Sequence, residues 1–300
     1  MASTRNSAYP IRLNTADGWQ LKAHLYGKVE TARATVVVNS ALGIKQEYYA
    51  LFAAWLAEHN CLVLTYNYRG NGCSGAQQLR GLDASITDWG RYDFATAVEY
   101  LRKTAPTLPL LCIGHSVGGQ LLGLLPNNQR IAGLYAVCSQ VGYWGLWSGV
   151  ERWRAWSLFF VLIPLLTTCF NYFPGSRLGM SDIPTGVARE WARWCRSREY
   201  MCDTNDKSTR ELFASYRGQA LFLSMYDDTV YAPRQTVDAL ATMHKNANVK
   251  RIHIEMSAVN GRAVGHFGFF RTASGLYLWP NVLQWIEQTI LHASSNKQFG

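Results

Sequence analysis

A serine set in a tight glycine turn is the residue of this sequence best placed for covalent chemistry. Gly114-His115-Ser116-Val117-Gly118 follows the apolar residues 110–113 and precedes the helix-like residues 120–125. A Gly-x-Ser-x-Gly between a strand and a helix reads as a nucleophile elbow, a strained turn that lifts the serine oxygen above the sheet. Glycines are needed there because side chains would collide across so tight a turn. The competing reading, a glycine turn with an idle serine, loses ground to that context. A serine alcohol is a weak nucleophile and needs an adjacent base that a third group orients. Downstream, a strand-like run over 221–226 ends in Asp227 and Asp228, and either could orient a base or simply cap the helix that follows. Four histidines come later: His244, His253, His266 and His292. His253 falls within a strand, His244 ends an amphipathic helix and His292 lies near the C-terminus. His266 sits in Val264-Gly-His-Phe-Gly268, between the last strand and the last helix, where a base can hang over the elbow.

Short β-like runs alternate with helical patterns along most of the chain. Residues 11–15 and 20–26 flank Ala16-Asp17-Gly18 and predict a hairpin. Residues 34–39 form a β-branched run suited to a strand buried on both faces. A helical segment is expected at 47–58, a strand at 61–66, and a helix after Asp88, read as its N-cap. Then come a strand at 110–113, a helix at 117–125 and a strand at 131–138. Strands at 220–224 and 249–256 and helices at 234–244 and 280–292 complete the series. The alternation predicts an α/β fold with a mostly parallel central sheet and helices on both faces.

Residues 141–215 break this rhythm with helical segments alone. Six of the eleven tryptophans fall there: Trp144, Trp147, Trp153, Trp156, Trp191 and Trp194. We read a helical cap inserted after the sixth strand, dividing the chain into core (1–140), cap (141–215) and core (216–300). Together with Phe159, Phe160, Phe170 and Phe173, those tryptophans are expected to make an apolar ceiling over the site. Residues 155–174 carry no charge for 20 positions, a length that would admit a membrane span. Pro164, Ser157, Thr167, Thr168 and Asn171 interrupt the run, so it is read as a lid helix, with peripheral membrane contact left open.

At 48% apolar and 16% charged residues, disordered and fibrous classes are excluded. The formal charge of +9 is spread over the chain without a basic tract, so it is read as a solvated surface rather than a nucleic-acid site. Seven cysteines cannot all pair, and no CxxC or HExxH spacing suggests a metal. The first residues lack the apolar core of a signal peptide, and a cytoplasmic location is the expectation. The glycine-rich segments fit neither a dinucleotide fingerprint nor a Walker loop, so no cofactor is expected.

On these motifs the chain resembles the α/β-hydrolase fold superfamily, most closely its capped branch of monoglyceride-lipase-like and serine-aminopeptidase-like proteins. Besides the elbow, Asn67-Tyr-Arg-Gly-Asn-Gly-Cys-Ser74 is similar to the branch's Asp-x-Arg-Gly-x-Gly-x-Ser loop, with Asn67 in place of the acid. The resemblance implies the order Ser, acid, His. It places the acid at Asp228, with Asp227 the competitor one residue away, and the base at His266. It also implies two backbone donors for a developing oxyanion: Val117 after the nucleophile, and a residue of Asn39-Ser-Ala-Leu-Gly43. Register there favours Ala41, with Leu42 its neighbour. That loop departs from the branch's His-Gly start, having Asn39-Ser40.

The implied activity is a serine hydrolase acting on carboxylic esters with an apolar acyl or alcohol part, without cofactor or metal. A thioesterase or acyltransferase using the same triad is the alternative, and a ligand-binding protein without catalysis the reading furthest from these residues. A serine at the elbow argues against the aspartate-nucleophile chemistry of related folds.

Overall fold

The computed structural model describes residues 8–71, 79–202 and 207–298. Eight strands form one twisted sheet: β1 (Tyr9–Asn14), β2 (Gln20–Tyr26), β3 (Ala34–Asn39), β4 (Cys61–Tyr66), β5 (Leu110–His115), β6 (Gly133–Val137), β9 (Gln219–Met225) and β10 (Asn248–Ile254). A separate pair, β7 (Tyr172–Phe173) and β8 (Ile183–Pro184), lies between β6 and β9. The sheet runs β1-β2-β4-β3-β5-β6-β9-β10, antiparallel across β1, β2 and β4 and parallel from β4 onward. Strands β3, β4, β5 and β6 are buried along their whole length, as near-continuous apolar runs require between helix layers. The expected hairpin forms, turning at Thr15–Trp19, with Gly18 at φ +90° and Thr15 Oγ1 donating to Asp17 Oδ1 at 2.5 Å.

The order β4-β3-β5 places a topological switch beside β3, where successive connections leave in opposite directions. Open parallel sheets leave a crevice at the carboxyl ends of such strands. The loops after β3, β5, β9 and β10 carry 40–43, Ser116, Asp227 with Asp228, and His266 to that same edge. Connectivity alone therefore gathers the candidate residues.

Several boundaries differ from expectation for local reasons. Ser85, not Asp88, is the N-cap before Ile86–Asp88; its side chain accepts from Asp88 N while Asp88 answers the Ser85 backbone, a capping box. The last helix begins earlier, at Thr272, and carries Pro280 inside it. Residues between β6 and β9 are not helical alone, because β7 and β8 pair after the turn at Pro174. The longest helical stretch there is Gly149–Phe170. It contains a wide, π-type turn at Leu158–Leu162 just ahead of Pro164. A proline lacks an N–H and crowds the preceding turn, and the wider turn relieves both faults.

Backbone and side-chain hydrogen bonds stitch this segment to the core. Ser181 N donates to Gly43 O at 2.7 Å, Thr87 Oγ1 to Glu190 Oε1 at 2.7 Å, and Trp147 Nε1 to Val230 O at 2.8 Å.

Candidate active site

Ser116 follows the last residue of β5 and has φ 53° and ψ −121°, a backbone state costing about 1–3 kcal/mol for a non-glycine residue. Its neighbours enforce the strain. A Cβ on Gly114 would lie 2.4 Å from Gly119 Cα, and one on Gly118 would lie 2.3 Å from Asn39 O. Ser116 N donates to Val137 O at 2.9 Å, tying the turn to the end of β6.

The two aspartates after β9 separate cleanly by partner. Asp228 Oδ2 lies 2.6 Å from His266 Nδ1, while its Oδ1 accepts from the backbone N–H of Tyr231 and Ala232 at 3.2 and 3.1 Å. Asp227 accepts instead from Val264 N and Gly265 N, both at 2.8 Å, and so grips the loop that carries His266. Gly265 has φ +56°, the left-handed turn that lets these successive amides converge on one carboxylate. Tyr48 adds a further tether by donating its hydroxyl to Phe267 O. His266, Asp228 and Ser116 are only 6%, 3% and 7% exposed.

The Ser116 hydroxyl donates to Gln140 Oε1 at 3.5 Å, and among the described residues no hydrogen bond joins it to His266. Catalytic hydrogen bonds are often long in unliganded sites and tighten around substrate. Gln140 was not legible from sequence, since it stands in a loop with no motif. It is positioned by Gln120, which donates from Nε2 to Gln140 O at 2.7 Å and accepts at Oε1 from Tyr200 at 2.9 Å.

His115, the variable residue of the elbow motif, joins three loops. Its Nε2 lies 2.9 Å from His266 O and its Nδ1 2.9 Å from Tyr49 Oη, which in turn accepts from Ala41 N at 2.8 Å. Every proton direction follows. A carbonyl only accepts, so Nε2 carries the hydrogen. Burial pushes the imidazole pKa well below its usual value, with the nearby His266 lowering it further, so the ring is neutral and Nδ1 accepts from the tyrosine. Tyr49 Oη is then left to accept from Ala41.

That chain corrects the expected oxyanion donor. The Ala41 N–H is already given to Tyr49. The neighbouring Leu42 N–H has no acceptor among the described residues, and neither has the N–H of Val117. Of the amides singled out in the two loops, those of Val117 and Leu42 are therefore the ones left without an acceptor among the described residues. No signal in the sequence marks Tyr49, which sits before a helix of otherwise ordinary composition.

Among the described residues, the one cluster with metal-ligand chemistry is Cys138, Asp228 and His266, with ligand atoms within 4.8 Å of one another. Burial, then the charge of Asp228, raises the Cys138 thiol far above its usual pKa, so it stays protonated. With His266 Nδ1 already bonded to Asp228, the donor set does not suit an ion. Cys138 packs behind the acid instead.

The aromatic side chains expected to form a ceiling divide by exposure. Trp147, Phe159, Phe173 and Trp194 are buried, but Trp153, Trp156 and Phe160 face outward.

Residues 30–190 match the family described as serine aminopeptidase, S33. The chain belongs to that family. Among solved structures it is similar to a soluble variant of monoglyceride lipase from Saccharomyces cerevisiae in complex with a substrate analog. The identity is 13%, the TM-score 0.65, and the match covers 95% of this chain and 97% of that one. An esterase from Pyrococcus furiosus is similar at 14% identity and TM-score 0.57, covering 96% and 91%. The thioesterase domain from the curacin biosynthetic pathway is similar at 14% identity and TM-score 0.53, covering 91% and 98%. No curated protein matches the sequence. Family and architecture agree on the α/β-hydrolase fold.

Within this serine aminopeptidase-like family, the two unusual asparagines have clear work. Asn67 accepts at Oδ1 from Gln46 N at 2.9 Å. Arg69 of the same motif meets its acids elsewhere: Nε and Nη2 lie 2.8 and 2.7 Å from Asp93 Oδ1, and Nη2 lies 3.0 Å from Asp17 Oδ1. The rest of that motif, Gly72 to Ser74, lies outside the described residues. Asn39 donates to Gly118 O at 3.1 Å and accepts from Tyr66 Oη at 2.8 Å, so it holds the elbow against β4.

Proposed function

We propose that this protein is a serine esterase, hydrolysing carboxylic esters with an apolar acyl or alcohol part. The observation that carries the reading is the buried 2.6 Å contact between Asp228 and His266, brought to the same sheet edge as the Ser116 elbow. Asp228 fixes the imidazole with its proton on Nδ1, leaving Nε2 basic. Ser116 Oγ attacks the acyl carbonyl, and Nε2 takes the hydroxyl proton and passes it to the leaving alcohol. The Val117 and Leu42 amides receive the charge on the carbonyl oxygen. Water, deprotonated by the same nitrogen, then attacks the acyl-enzyme and releases the acid. The apolar preference is supported by Tyr231, half exposed with its ring 5.0 Å from that of His266.

Thioester hydrolysis or acyl transfer by the same residues is the second reading; transfer to an acceptor other than water is the part favoured by the burial of Ser116, which limits access of water. Intact mass after treatment with a fluorophosphonate tests the activated serine. One adduct on Ser116, absent in Ser116→Ala and in His266→Ala, is expected. A folded protein that takes no adduct overturns the esterase reading. Adding a competing alcohol or thiol to the ester assay separates hydrolysis from transfer.

A further inference from the structure

The helix Gly149–Phe170 is long and apolar enough to cross a membrane, yet few of its residues are buried. Its inward stripe is narrow: Phe159, Ile163 and Thr167 are buried at a spacing of four residues. The outward face carries Val150, Trp153, Trp156, Phe160, Val161 and Leu165, with Trp153 63% and Leu165 55% exposed. Trp156 stacks on Phe160 at 5.5 Å and leans toward Trp153, so the aromatics form one continuous patch. An apolar patch of this kind on a soluble surface marks an interface.

Charge identifies the partner. Four exposed arginines lie on or beside the helix. Arg152 lies over Trp144, Arg177 lies over Phe170, Arg189 donates to Thr167 and Thr168, and Arg196 donates to Phe159 O at 2.9 Å. Among the described residues none of the four is in an ion pair, whereas the one acid on the helix, Glu151, is engaged by Arg154. Aromatic and aliphatic side chains flanked by unpaired arginines are the composition of a helix lying in an anionic lipid interface.

We propose that the outer face of Gly149–Phe170 seats this protein on the surface of an anionic lipid bilayer, with the helix in the interfacial plane. A span is disfavoured by the same contacts: Arg189 and Arg196 pin the helix to Thr185–Arg196, and Arg152 and Arg154 lie within it. The inference stands apart from the esterase reading, because lipid binding is measured without turnover.

The test is sedimentation with phosphatidylcholine vesicles, with and without about 30% phosphatidylglycerol, combined with tryptophan emission. Wild type is expected to sediment with the anionic vesicles and shift its emission to the blue. Val161→Glu with Leu165→Glu should weaken partitioning more than about tenfold, and Arg152→Gln with Arg177→Gln about fivefold for each charge removed. Hydrolysis of a soluble short-chain ester should be unchanged in both variants. Wild type that stays in the supernatant, or variants that sediment equally, would overturn the proposal. So would a vesicle-free dimer dispersed by the glutamates, which would make the patch a self-interface, or resistance to extraction at high salt and alkaline pH, which would make it a span.

Discussion

Replacing each of the adjacent aspartates by asparagine should separate two effects that sequence alone could not. In Asp228→Asn, the amide oxygen is claimed by the N–H groups of Tyr231 and Ala232 at 3.2 and 3.1 Å. Its NH₂ is then forced toward His266 Nδ1, at the site of the present 2.6 Å contact. An NH₂ only donates, so Nδ1 must present its lone pair and the imidazole proton moves to Nε2, where the base should be. The wrong tautomer costs on the order of 10⁴ in kcat, roughly 5 kcal/mol, while the fold loses little.

In Asp227→Asn the losses fall elsewhere. Asp227 accepts one backbone N–H on each oxygen, both at 2.8 Å, and an amide can keep only one of them. The forfeited charge-assisted bond is worth about 1.5–3 kcal/mol. At roughly 2–4 °C per kcal/mol for a large domain, the melting temperature should fall by about 5 °C. The base loop should loosen, and kcat with it, by about tenfold or less. The assay pairs kcat and KM for p-nitrophenyl butyrate with thermal unfolding of both variants. Asp228→Asn within tenfold of wild type would refute the reasoning. So would the reverse pattern, in which Asp227→Asn loses catalysis with its melting temperature intact.

Two further outcomes follow from buried groups. His244 sits among Phe213, Tyr216 and Phe222 with both ring nitrogens unpartnered, and burial lowers its pKa to about 4. Between pH 6.5 and about 4 the unfolded chain binds a proton that the native state refuses, so stability falls on acidification, by about 2 kcal/mol at pH 5. His244→Phe should remove that part of the slope in urea melts at pH 7.5 and 5, and an unchanged slope would contradict the assignment. Tyr49→Phe strips a donor from His115 Nδ1 and an acceptor from Ala41 N. We expect about 2–4 kcal/mol of lost stability and a fall in kcat at similar KM, and wild-type kcat in that variant would show that the tyrosine does not shape the oxyanion loop.

The fold was legible because its signals are local. A β-branched run reports a strand covered on both faces, and alternation with helices reports parallel order. The elbow was legible because its glycine spacing is a local pattern; Gly114 is demanded by Gly118 and Gly119 within the turn, although Gly118 answers the distant Asn39 O. What escaped depends on groups distant in the chain. Tyr49 and His115 are separated by 66 positions, and His115 and His266 by 151. No periodicity encodes which hydroxyl meets which ring. The Ala41 expectation shows the difficulty: register gives the loop, but the tyrosine behind it takes the Ala41 amide. The outward turn of Trp153 and Trp156 was likewise hidden, because composition counts aromatic residues without fixing their face.

Residues 39 and 67, where this chain departs from the motifs it resembles, both sit in satisfied polar networks. Asn39 and Asn67 keep the polar duties of their positions with neutral groups. One bridges β4 and the elbow, and the other accepts the Gln46 amide. Each amide has found a donor or acceptor that needs no charge, and at residue 67 a carboxylate would add desolvation to a bond the neutral amide already makes. The charge that must be buried is concentrated instead at Arg69, where Asp93 answers the guanidinium through two nitrogens and Asp17 closes it from the hairpin turn. Loop geometry beside the elbow therefore rests on an ion triad outside the variable positions. That arrangement braces the loop after β4, while the sheet order brings Ser116, Asp228 and His266 to one edge.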